Sequence, residues 1–327
     1  MNKEPVDLVY CWCDASDEKF RKEKDDLASK LNLDTVVNHP CRFFDNEELK
    51  YSLRSVEMYA DWINKIYIIT NKQVPYWLNL KHPKIKIVDH TEIMPKGALP
   101  NFNSNAIEHC IKNIPNLSEK FLYANDDMFF AKHVTEDFFF DKNGYPINRF
   151  DSKINDNPSI SLYATSLLNA ENLIKNKFNQ TYNHKPVHNI EVYKKSDVIR
   201  CYNEFKTEID NTIYSHFRNS QNISRYIYNF YSCAVSHGRC KILKKIDEKV
   251  PLLKRIFLLL SFRYECDAFF SLAYRPNIYK RFKKYNPTLF CINDCEETTD
   301  EQRKNNRLIL EKIYPKKSEF EIEEENA

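Results

Sequence analysis

Asp126 and Asp127 stand side by side behind Asn125, directly after the apolar run Phe121 to Ala124. Two carboxylates at the end of a buried strand suit a hard divalent cation, Mg2+ or Mn2+, which takes one or two protein carboxylates and fills its remaining positions with phosphate oxygens and water. Capping of the following segment is the plainer reading of the same pair. Farther along, Asn-His184-Lys-Pro-Val-His188-Asn and Ser-His216-Phe-Arg218-Asn-Ser lie outside any apolar periodicity. Histidine moves protons near neutral pH, and arginine holds phosphate through paired hydrogen bonds. Carboxylates, a cation, a histidine and an arginine together are what transfer at phosphorus requires. The chain has only 3 glycines and neither a P-loop nor a GxGxxG string. Any phosphate must therefore be gripped by side chains, helix N-termini or a metal.

Such residues need a scaffold, and the composition supplies one. Of 327 residues, 42% are hydrophobic and 14% aromatic, enough for one large domain or a domain with a smaller lobe. Lys and Arg number 49 against 46 Asp and Glu, and the net charge of +3 argues against nucleic acid as a partner. The ten cysteines are irregularly spaced and no secretory leader pattern is visible, which predicts reduced thiols and a cytoplasmic location. Cys11-Trp-Cys13 and Cys291 to Cys295 have the wrong spacing for a zinc or redox motif and read as small apolar fillers. The most apolar run, Leu252 to Phe262, contains Lys254 and Arg255. It falls short of the ~20 apolar residues that span a bilayer, and reads instead as an interfacial helix giving peripheral contact with the inner face of a membrane.

Short β-branched or aromatic runs alternate with amphipathic ones in the first half, the pattern of βαβ units and an α/β fold with a mostly parallel, Rossmann-like sheet flanked by helices. Val6 to Cys13, Ile66 to Thr70, Ile85 to Val88 and Phe121 to Ala124 read as strands. Glu47 to Tyr59 and Asn105 to Ile114 read as helices, the second opened by a capping box of Asn105 and Glu108. Parallel sheets bind ligands at the carboxyl ends of their strands. Here those ends carry Asp14, Ser16 and Asp17, then Thr70 and Asn71, then Asp89 and His90, then Asn125 to Asp127. Residues 1–150 are thus expected to form the α/β core, and 151–314 a helix-rich insertion or lid completing the site, with helices over Asn189 to Phe205 and Ser220 to Val235. Residues 315–327 read as a charged tail that frays.

Four blocks carry a resemblance. Val6-Asp-Leu-Val-Tyr-Cys-Trp-Cys-Asp-Ala-Ser-Asp17 is the first. The second runs from Arg42-Phe-Phe-Asp-Asn-Glu-Glu-Leu-Lys-Tyr-Ser-Leu-Arg-Ser55 through Trp62, Trp77, Asp89-His90 and Leu99-Pro-Asn-Phe-Asn-Ser-Asn-Ala-Ile-Glu108 to Phe121-Leu-Tyr-Ala-Asn-Asp-Asp-Met-Phe-Phe130. The third covers His184 to Tyr231, and the fourth is Phe290-Cys-Ile-Asn-Asp294. Together they resemble the Stealth family, which comprises bacterial capsule hexose-1-phosphate transferases and the catalytic subunit of the lysosomal-enzyme GlcNAc-1-phosphotransferase. Two departures are visible: Ala15 stands where the family usually has glycine, and Val187 separates Pro186 from His188 where the family often has a histidine directly after the proline.

The resemblance implies a GT-A-like fold and transfer of an intact sugar-1-phosphate, GlcNAc-1-phosphate, from a UDP-sugar to a hydroxyl of an oligosaccharide or polysaccharide acceptor. A phosphodiester forms in capsule or surface polysaccharide synthesis and UMP leaves. It implies His184 as general base or acid, since the family places its catalytic histidine before a proline and an arginine about thirty residues later. It implies Arg218 as the phosphate clamp, Asp126 and Asp127 as metal ligands, and Asp127 in the catalytic set. Asp14, Arg54, Asn103, Ser104, Asn125, Asn293 and Asp294 become substrate-binding candidates, Asn103 and Ser104 because they precede a helix N-terminus that favours an anion. Arg54 serves equally as a tie between helix and sheet, while Trp62 and Trp77 read as core and Glu108 as a helix cap. Two other functions fit the same carboxylates: a GT-A glycosyltransferase attacking sugar C1 and releasing UDP, and a sugar-nucleotide-binding protein that has lost catalysis.

Overall fold

The structure is a computed structural model describing residues 4–33, 39–154, 161–243, 267–275 and 277–323. Val6–Cys11 (β1) is buried along nearly its whole length, the mark of a strand covered on both faces. It pairs in parallel with Ile66–Thr70 (β2), and β2 with Ile85–Asp89 (β3). On its other side β1 pairs in parallel with Lys120–Asn125 (β4). The expected parallel sheet is present, with β1 stopping two residues earlier than its apolar run. The remaining strands are Met128–Phe130 (β5), Ile147–Lys153 (β6), His184–Pro186 (β7), Glu191–Lys194 (β8), Arg239–Ile242 (β9), Asp267–Ser271 (β10) and Leu289–Asn293 (β11).

The main sheet has the order β3-β2-β1-β4-β8, and β8 lies antiparallel to β4. Four parallel strands in the order 3-2-1-4 match the Rossmann-like, GT-A-like expectation. β8 corrects the predicted helix over Asn189 to Phe205, because Ile190 and Val192 pack on one face of the sheet and Tyr193 on the other. That alternation is a strand's, and the helix begins only at Lys195. The smaller sheet β10-β11-β5 pairs the short strand that follows β4 with β11, from the last part of the chain. Both sheets thus draw strands from either side of position 150. The second half is helix-rich, and its helices Leu162–Phe178 and Ile227–Val235 share one apolar cluster with Val9, Ile69 and Tyr123 of the sheet.

Three local expectations change. Asn103, not Asn105, caps the Ser104–His109 helix, and Glu108 turns inward toward Arg225 instead of closing a capping box. The predicted fraying of the tail does not hold through residue 323, because Phe320 and Glu321 are buried against Trp77, Leu78 and Arg54. Arg54 itself is buried, donating to Glu321, Glu311 and the Tyr314 carbonyl, so its desolvated charge requires the tail in place. It is a structural tie and not a substrate contact. Trp77 is core, and half-buried Trp62 donates to the Val134 carbonyl at 2.6 Å. The nine described cysteines are free thiols. Leu252 to Phe262 lies outside the described residues, and no described helix is long and apolar enough to cross a membrane.

Candidate active site

A cavity of about 1290 Å³ opens at the carboxyl ends of β1 and β4, lined there by Cys11, Trp12 and Cys13 and by Asn125, Asp126 and Asp127. The turn between β4 and β5, which belong to different sheets, fixes the two aspartates. The Asn125 amide donates to Met128 Sδ at 3.3 Å, and the Ile292 amide of β11 donates to the Asp127 carbonyl at 3.0 Å. Cys291 Sγ and Asn293 Nδ2 both donate to Asp127 Oδ2, at 3.3 and 3.5 Å. Asp127 Oδ1 is buried and meets no hydrogen-bond donor among the described residues. An unsatisfied buried carboxylate oxygen is costly, and a bound cation is one thing that satisfies it.

The start of the Glu48–Tyr59 helix brings two more carboxylates, Asp45 and Glu48, within electrostatic reach. Burial, then Asp45, pushes Glu48 up to about 8, and burial pushes Asp45 up to about 6 although Trp12 donates to it. Burial likewise pushes Asp127 up to about 6. Asp126 is raised well above the usual range by burial and then by Asp127, Glu48 and Asp45. Four carboxyls that resist ionising together are a site to which Mg2+ or Mn2+ is suited, and the open Oδ1 of Asp127 agrees with that fit.

The second half adds basic residues to the same cavity. His188 lines the cavity and His184 does not. His184 sits on β7, paired across to Lys153, with Nδ1 2.9 Å from the Tyr182 carbonyl. A ring nitrogen of His188, a carboxylate oxygen of Asp127 and Cys291 Sγ lie within 4.8 Å of one another. Of the two histidines, the structure brings His188 to the cavity and leaves His184 outside its lining. Spacing carried that signal: His188 is 218 − 188 = 30 residues before Arg218, and His184 is 34. Burial, then Arg225, Lys185 and Arg218, pushes His188 down to about 3, so its imidazole is neutral at ordinary pH.

Arg218 lines the cavity and donates to Ser104 Oγ at 2.5 Å, which places both predicted residues at the site. Burial, then Arg42, pushes the Arg218 guanidinium below its usual range. Arg225, which the sequence reading missed, donates to Glu108 at 3.0 Å and to Glu191, and its guanidinium lies 4.7 Å from the ring centres of both Tyr123 and Tyr226. Glu108 is thereby a buried ion-pair partner. Asn293 and Asp294 reach the cavity, Asn293 bracing Asp127 and Asp294 neutralised by Arg303 at 2.7 Å.

Like Arg54, two more of the predicted contacts fall outside the lining. Asp14 folds its carboxylate back onto Ser16, at 2.7 Å to the amide and 2.6 Å to the hydroxyl. Asn103 is fully buried, its amide bridging the Ser215 and Phe217 carbonyls and Asn222. Both are local structural roles.

Residues 42–148 match the family model for Stealth protein conserved region 2. The chain is similar to the capsular polysaccharide phosphotransferase fcs1 of Haemophilus influenzae, 30% identical over 90% of this chain and 80% of that one. It is 29% identical to the capsular polysaccharide phosphotransferase SacB of Neisseria meningitidis serogroup A, over 97% of this chain and 57% of SacB. It is 43% identical to the exopolysaccharide phosphotransferase cps2G of Lactiplantibacillus plantarum, over 43% of this chain and 41% of that protein. Among solved structures, the galactosyltransferase LgtC aligns with 93% of this chain and 95% of its own length at 10% identity, with a TM-score of 0.39.

Proposed function

Because the chain belongs to the Stealth family, whose relatives here are capsular and exopolysaccharide phosphotransferases, we propose that it moves an intact sugar-1-phosphate, GlcNAc-1-phosphate, from a UDP-sugar to a hydroxyl of a glycan acceptor in capsule or exopolysaccharide synthesis. The observation that supports this reading is the convergence on one cavity of acidic residues, Asp126 and Asp127, and basic ones, His188 and Arg218, with His188 within 4.8 Å of Asp127. Attack at phosphorus gains from a cationic clamp on the phosphoryl oxygens and a base for the acceptor hydroxyl.

In this mechanism the acceptor oxygen bonds to the donor's β-phosphorus, its proton passes to His188, and the bond from that phosphorus to the oxygen of UMP breaks. Arg218 meets the charge that gathers on the phosphoryl oxygens, held in place through Ser104. Asp126 and Asp127 would hold Mg2+ or Mn2+, which when bound supplies charge neutralisation for the pyrophosphate. Cys291 and Asn293 fix the Asp127 carboxylate in that position. Cytoplasmic placement, with peripheral contact at the inner membrane face, belongs to the same proposal, since the chain must meet its nucleotide-sugar donor.

The test is to incubate the chain with Mg2+, UDP-GlcNAc and an oligosaccharide acceptor and to identify the nucleotide released. UMP is expected. UDP contradicts the reading in favour of C1 attack, and binding of the donor with no turnover contradicts it in favour of a binding protein.

A further inference from the structure

His188 has two ring nitrogens, and which one is free to take a proton depends on what holds the other. Nδ1 lies 3.0 Å from the hydroxyl of Tyr226. Tyr226 has no exposed surface and is fixed by the Arg225 guanidinium over its ring, itself anchored on Glu108 and Glu191. Tyr163 and Phe269 set their rings edge-on around the imidazole, with centres 6.0 and 5.8 Å away. A half-buried imidazole so enclosed has one orientation and one fixed partner.

Tyr226 can meet Nδ1 in two ways: it donates its hydrogen and leaves Nε2 protonated, or it accepts the Nδ1 hydrogen and leaves Nε2 bare. The environment favours the second. Tyr163 Oη is buried beside the Tyr226 hydroxyl and has no other partner among the described residues, so it can accept the hydrogen that Tyr226 then has to place.

We infer that Tyr226 is a positioning residue for the transfer: it accepts the Nδ1 hydrogen of His188 and so presents Nε2 as the base for the acceptor hydroxyl. This rests on the reading of His188 as the proton acceptor. When Nε2 takes the acceptor's proton, the second hydrogen is already on Nδ1 and bonded to Tyr226, so the imidazolium that forms is stabilised with no group having to turn. Proton and electron pair are accounted for by the transfer itself, and Tyr226 gains and loses nothing.

The direct experiment reads the tautomer. In the full chain labelled with 15N-histidine, with the His188 signals assigned by their loss in His188→Ala, the protonated nitrogen of wild-type His188 is expected to be Nδ1. Tyr226→Phe keeps the ring and the stacking on Arg225 and removes only the hydroxyl. It is expected to abolish that preference and to lower kcat about 10- to 100-fold with KM for UDP-GlcNAc little changed, the range for partners that orient a reacting imidazole. An Nε2-protonated wild-type imidazole overturns the inference, as does a Tyr226→Phe chain with the wild-type tautomer and wild-type kcat. A lowered melting temperature with both unchanged makes Tyr226 a packing residue and also overturns it. If His188→Ala turns over normally, the reading of His188 fails instead, and the two failures are thus told apart.

Discussion

The acidic and basic walls of the cavity are withdrawn from water to a similar degree, yet that withdrawal moves their protons in opposite directions. Asp45, Glu48, Asp126 and Asp127 are held toward protonation, and His188 is held away from it. Burial penalises whichever form carries charge, and neither wall contains the opposite charge that would relieve it. Arg225 is the instructive exception, since Glu108 and Glu191 compensate it fully and it stays charged. The difference separates a compensated cation that braces the fold from the uncompensated carboxyls, His188 and Arg218 that line the cavity.

The largest expected effect breaks the basic wall. His188→Ala should lower turnover about 10²- to 10⁴-fold, the usual worth of a positioned proton acceptor, while His184→Ala should stay within about 2-fold as a surface substitution. Initial rates on the same donor and acceptor compare the two. The reverse order would return the role to His184 and dissolve the contrast between the walls.

That pair also shows where the sequence was legible. The acidic wall follows from contiguous apolar runs, because parallel strands must present their ends together once Phe121 to Ala124 and Val6 to Cys11 are recognised as neighbours. The basic wall is built across distance. Arg225 finds Glu108 at a separation of 117 residues and Glu191 at 34, and no local period encodes either pairing. The Arg54–Glu321 pair, separated by 267 residues, is equally silent in the chain and turned a predicted loose tail into a packed one. Proximity to proline pointed to His184, and only the spacing to Arg218 held the correction.

A smaller effect sharpens the acidic wall. A carboxyl raised in the folded chain contributes stability that is lost as pH rises through its folded value, near 6 for Asp45 and Asp127 and near 8 for Glu48. A divalent cation replaces those protons and cancels the loss. Mg2+ well above its Kd should therefore raise Tm by about 2–4 °C at pH 8 and by clearly less at pH 5.5, where protons compete for the same oxygens. Scanning calorimetry at both pH values checks this, and an equal shift at both, or none at pH 8, would separate the carboxyls from cation binding.

The central claim is attack at phosphorus, and the fate of one oxygen tests it most directly. UDP-GlcNAc carrying 18O between sugar C1 and the β-phosphorus keeps that C1–O bond if phosphorus is attacked. Mass spectrometry should then find the label in the phosphodiester product and none in the released UMP. Label leaving with UDP, and a product without phosphate, would contradict the account.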